Sequence, residues 1–110
     1  MVKLSNYKVE VYIPEEYVET LREGLNNAGA CRIGNYDHCI SVSKVRGFWR
    51  PLKGANPFSG SLGEISEGEE AKVEFICPEG SLEQVVKTIL RIHPYETPVY
   101  YVIPIIDAGG

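Results

Sequence analysis

The 110-residue chain is 44% hydrophobic and sets 11 Lys and Arg against 15 Asp and Glu, a formal net charge of −4. That length suits one domain, residues 1–110, with enough apolar surface to bury a core and offset chain entropy. The acidic balance argues against nucleic acid or an anionic membrane surface as the main partner, and no apolar run approaches the roughly 20 residues that cross a bilayer.

The first element is a strand, in which Val9, Val11 and Ile13 alternate with Lys8, Glu10 and Tyr12. Pro14 stops its ladder, having no N–H to donate. A helix follows, with Val18, Leu21, Leu25 and Ala28 on one stripe and Gly29 placed for a left-handed cap. Residues 37–43 read as a second strand, His38, Ile40 and Val42 on one face, Cys39, Ser41 and Ser43 on the other. Residues 44–70 read as a long connector with five glycines and two prolines, together with Phe48, Trp49 and Phe58. A loop of that length is usually functional or mobile, but three large aromatics predict that part of it is packed. A strand from Lys72 to Cys77 comes next, with Val73, Phe75 and Cys77 on its core face. The following helix carries Leu82, Val85, Val86 and Ile89 on one stripe, opened by a capping-box pair, Ser81 and Gln84, and ended by His93-Pro94. Val99 to Ile106 forms the last strand.

The two halves, residues 7–43 and 71–107, are copies. KVEVYIPEEYVETLREGL (8–25) aligns with KVEFICPEGSLEQVVKTI (72–89) at an offset of 64, with identities at Lys8/Lys72, Val9/Val73, Glu10/Glu74, Pro14/Pro78, Glu15/Glu79 and Glu19/Glu83. A duplicated β-α-β unit with right-handed crossovers predicts an α+β, ferredoxin-like domain. Its four-stranded antiparallel sheet carries both helices on one face. The open face then holds Tyr12, Ile76 and part of the Tyr100-Tyr101 pair, apolar enough to predict subunit contacts.

Three stretches, GACRIGNYDHC (29–39), FWRPLKGANPFSG (48–60) and HPYETP (93–98), resemble the PII-like domain inserted into NIF-three-like proteins, some of which carry the label GTP cyclohydrolase type 2. The resemblance covers about residues 8–107. The HPYE stretch also resembles the end of CutA proteins, trimers of the same fold linked with divalent-cation tolerance and copper binding. In the larger NIF-three-like proteins the module interrupts a host domain that holds a pair of metals. With two histidines, this chain cannot rebuild that ligand set, so the resemblance implies a free-standing accessory module and no hydrolase activity.

Two candidate sites follow. In the connector, Arg46, Arg50 and Lys53 supply local positive charge, Asn56 and the glycines supply backbone donors for an anion, and Trp49 is a candidate contact; by analogy with the PII T-loop this is where a small ligand or protein partner would bind, the alternative being an ordered loop in which Arg50 pairs with a carboxylate and Trp49 and Phe58 fill a subunit contact. The alternative is a divalent metal, copper in the CutA manner, held by His38, Cys39 or His93. Adjacent strand residues point to opposite faces, so His38 and Cys39 cannot easily chelate one ion, and a structural reading fits better: Cys39 and Cys77 as small core residues, His93 bonding carbonyls at a helix end. Cys31, Cys39 and Cys77 are an odd number without a CxxC pair and read as reduced thiols. That and the want of a signal-peptide apolar region after the N-terminal lysines predict a cytoplasmic location. The expected state is a homo-oligomer, a trimer by analogy with a dimer as the alternative. No recognisable catalytic set is present.

Overall fold

The structure, a computed structural model, describes residues 3–107. Strand β1 (Lys3–Ile13) leads through a 3-10 turn (Glu15–Tyr17) into helix α1 (Val18–Asn27), then β2 (Ser41–Trp49). Strand β3 (Ser66–Pro78), a second 3-10 turn (Glu79–Ser81), α2 (Leu82–Ile92) and β4 (Val99–Asp107) repeat the pattern. The strands form one antiparallel sheet in the order β2-β3-β1-β4. This is the ferredoxin-like arrangement that the duplication predicts. No helix among the described residues is long and apolar enough to cross a membrane.

The core lies between one sheet face and the two helices. Val9, Val11 and Ile13 of β1 and Val73, Phe75 and Cys77 of β3 meet Val18, Leu21 and Leu25 of α1 and Val85 and Ile89 of α2. The period-two and helical stripes read from the sequence are this core, joined by Thr88, whose hydroxyl donates to the Gln84 carbonyl at 2.8 Å. Helix α1 ends as Gly29 implies. Gly29 takes φ +99°, its N–H bonds the Asn26 carbonyl at 3.1 Å, and the Ala30 N–H reaches back to Leu25 at 3.1 Å, a Schellman motif. The Ser81 capping box does not form, since the Ser81 side chain makes no cap bond. Ser81 enters α2 from a 3-10 turn in helical conformation, with the Leu82 N–H already bonded to the Glu79 carbonyl, so its side chain is not in the extended setting that capping needs.

The open face carries charge at its centre. Glu10 and Glu74 stand directly opposite each other in the β1–β3 register. Lys8 lies 2.7 Å from Glu74 and 3.6 Å from Glu10, and Lys72 lies 3.7 Å from Glu10, so each carboxylate has a lysine. The Glu74 carboxyl is held below its ordinary range, first by the Lys8 hydrogen bond, and the Lys8 ammonium is raised in return. Around this lattice lie Val99, Tyr101 and Ile103, all exposed, with Tyr12 edge-on to Tyr101 at 6.2 Å. Tyr100 turns the other way, against the core.

The middle of the chain differs from the sequence reading. The second strand starts at Ser41, not Asp37, and runs on to Trp49; its partner begins at Ser66. The two ends of the expected connector, residues 44–49 and 66–70, are therefore strands of a β-hairpin, and residues 50–65 are its tip loop. Residues 37–40 are not strand. His38 takes φ +55°, its N–H donates to the Asn26 side chain at 2.9 Å, and the Cys39 N–H bonds the Cys31 carbonyl at 2.9 Å. Strand alternation between His38 and Cys39 is thus broken.

Candidate functional site

The hairpin tip folds back on the segment between α2 and β4. Between them is a cleft of about 430 Å³ whose walls include Phe48, Trp49, Phe58 and Tyr95, with Arg50, Glu70 and Glu96 as its charged groups. That volume falls within the range of small-molecule sites. Three contacts join the walls. The Tyr95 hydroxyl donates to Glu70 Oε2 at 2.9 Å, the Asn56 N–H donates to Glu96 Oε1 at 3.0 Å, and the Phe58 and Tyr95 rings lie 5.8 Å apart.

The local sequence explains why the walls stand where they do. Gly47 and Gly68 face each other in the β2–β3 register, leaving bare backbone on the hairpin. The Trp49 ring lies across Gly68, where a Cβ would come within 3.2 Å of it, and Trp49 Nε1 donates to the Ser59 carbonyl at 3.0 Å. The Glu70 carboxylate occupies the space over Gly47 that any larger residue would fill. Pro94 and Pro98 bracket the opposite wall, and His93 anchors it. His93 is buried; its Nε2–H donates to the Tyr12 carbonyl at 2.6 Å while Nδ1 accepts from the Tyr95 N–H at 3.3 Å. A carbonyl can only accept, so these two bonds fix the neutral tautomer. Burial lowers the His93 pKa, against the opposing pull of the Tyr12 carbonyl and of Glu70. Tyr95 is shifted well above the ordinary phenol value, first by burial and then by Glu70.

Of the five connector residues singled out in the sequence, the cleft is lined by Trp49 and Arg50. Arg46 instead pairs with Glu67 across the hairpin at 3.3 Å and stacks over Phe48 at 5.2 Å. Lys53 is exposed and outside the lining, and Asn56 acts through its backbone N–H. Glu70, Tyr95 and Glu96 also line the cleft and are not among the residues singled out in the sequence. The Pro-bracketed HPYETP turn is the sequence signal for Tyr95 and Glu96, and nothing local marks Glu70.

The three candidate metal residues are not brought together; among the described residues no group of three or more His, Cys, Asp or Glu side chains could share an ion. His38 Nδ1 lies 2.7 Å from the Arg22 guanidinium, which repels a cation, and both His93 nitrogens are already bonded. The three cysteines are free thiols, Cys31 and Cys77 fully buried, and burial pushes Cys31 up to about 12.

No protein-family model matches the chain. It is 41% identical over 105 residues to a GTP cyclohydrolase 1 type 2 homolog of Halalkalibacterium halodurans, a match covering 96% of this chain and 28% of that protein. A Bacillus cereus protein related to NIF3 superposes with a TM-score of 0.80 at 32% identity, over 94% of this chain and 28% of the other. The divalent cation tolerance protein Cut A1 of Thermus thermophilus shares the fold at a TM-score of 0.67 and 19% identity, over 96% of this chain and 86% of that one. Along nearly its whole length, then, the chain is a relative of one segment of the GTP cyclohydrolase 1 type 2 homologs and NIF3-related proteins, spanning little more than a quarter of their length, and it has the fold of the divalent-cation-tolerance proteins.

Proposed function

We propose that this domain is a non-enzymatic binding module that takes a small ligand in the cleft between the hairpin tip and residues 93–98, with Trp49 and Arg50 as ligand contacts. The observation that carries this reading is the cleft itself, in which two stretches of the family resemblance, 48–60 and 93–98, form facing walls tied by Tyr95–Glu70 and Asn56–Glu96. The module works as a homo-oligomer, a trimer by analogy with CutA, assembling through the open sheet face where Val99, Tyr101 and Ile103 are exposed. Three free thiols suit a reducing compartment, the cytoplasm.

Native mass spectrometry of the untagged chain, after incubation with a small-molecule cell extract and desalting, tests both parts. The expected spectrum is a trimer with one retained organic mass per subunit, lost in a folded Trp49→Ala, Arg50→Ala double variant. A bare monomer removes the assembly reading. An empty spectrum, or a retained mass indifferent to the double variant, removes the cleft as the ligand site, and a retained metal mass favours the metal-handling alternative.

A further inference from the structure

We infer that the cleft selects an organic cation with an apolar or aromatic body, such as a protonated amine; this rests on the reading of the cleft as a ligand site. Its charged lining is two carboxylates, Glu70 and Glu96, against one guanidinium, Arg50. Neither carboxylate forms an ion pair among the described residues, although eight ion pairs form elsewhere on the domain. Each is held by a neutral donor: Glu70 by the Tyr95 hydroxyl, Glu96 by the Asn56 N–H. Those donors fix one oxygen of each carboxylate and leave the negative charge uncompensated. The rings of Trp49, Phe58 and Tyr95 add walls whose faces are electronegative and attract cations, while Phe48 already carries Arg46 over its ring. Arg50 and Glu96 are both exposed and screened by water, so they offset each other and the half-buried Glu70 leaves the lining net negative. The positive connector read from the sequence is not what lines the space: Arg46 is spent on Glu67 and Lys53 lies outside.

Three probes of one shape separate charge from bulk: benzylamine, benzyl alcohol and benzoate. The Trp49 indole N–H is the only indole in the chain, so its NMR cross-peak reports binding at the cleft. Benzylammonium is expected to bind about tenfold more tightly than the alcohol, with benzoate weakest. Glu96→Gln, and Glu70→Gln where it still folds, should each shrink the preference for the ammonium. Equal binding of all three probes, or tightest binding of benzoate, overturns the cation reading and leaves the cleft as a ligand site of another chemistry. If no probe moves the Trp49 cross-peak, the cation reading falls as well, and an empty native mass spectrum then removes the binding module with it.

Discussion

Tyr95→Phe removes one oxygen, and the structure says what that oxygen does. The hydroxyl donates to a carboxylate at 2.9 Å, the one side-chain hydrogen bond between Tyr95 and β3 among the described residues. A hydrogen bond to a charged group contributes about 1.5–3 kcal/mol, and because both partners are only half-buried the lower end applies, about 1.5 kcal/mol. In a domain of this size each kcal/mol moves Tm by about 4–8 °C, so the variant should melt roughly 6–12 °C lower. Thermal and urea unfolding of Tyr95→Phe, Glu70→Ala and the double variant then give a double-mutant cycle. The coupling energy should be at least about 1 kcal/mol, the double variant costing little more than either single one. Gly47→Ala belongs to the same cycle, because its methyl would take the space of the Glu70 carboxylate and break the bond from the other side. Additive losses, to within about 0.3 kcal/mol, would refute the argument, since hydroxyl and carboxylate would then act independently and the bond would not tie the hairpin to the 93–98 wall.

Two pH effects follow from the same geometry. Burial holds the His93 pKa below its unfolded value near 6.5, so the neutral ring's contribution to stability is present above about pH 6.5 and is lost as pH falls through the lower folded value; urea midpoints should decline between about pH 7 and 5, and this decline should be smaller in His93→Gln. Glu74 is depressed by its bond from Lys8, so its contribution is present above the ordinary carboxylate range and lost as pH falls through its folded pKa. A carboxyl NMR titration should show that pKa rising toward the ordinary value in Lys8→Met, and an unmoved titration would mean that the 2.7 Å contact does not persist in solution.

Where one sheet face was buried, the sequence was readable. The alternation through Val9, Val11 and Ile13, and through Val73, Phe75 and Cys77, exists because every second residue of β1 and β3 meets the helices. Beyond the helices that reason lapses. Residues 66–70 are strand with one face half-buried and the other in water, but the half-buried positions are Ser66, Gly68 and Glu70, so the segment carries no apolar alternation and reads as loop. Residues 37–40 show the opposite error: alternation was present, but His38 adopts a left-handed conformation and hydrogen-bonds α1 instead of a strand. The cleft was only half legible for a different reason. Trp49 and Arg50 announced themselves by composition, but the contacts that shape the site join residues 25 and 40 positions apart, Glu70 to Tyr95 and Asn56 to Glu96, and nothing local in either stretch records them.

The register of the two central strands has a consequence for how the duplicated sequence fits itself. Residues that correspond under the offset of 64 are, at one place, also directly opposite in the ladder: Glu10 and Glu74. A pseudo-twofold axis passes through them, and the contacts on either side map onto each other, Lys8 to Glu74 on one side and Lys72 to Glu10 on the other. The motif Lys-Val-Glu is therefore self-complementary. Read antiparallel against its own copy it places two acids face to face and brings to each a lysine from the other strand, so that a half-length chain meeting a second half-length chain would find the same ladder already written in both.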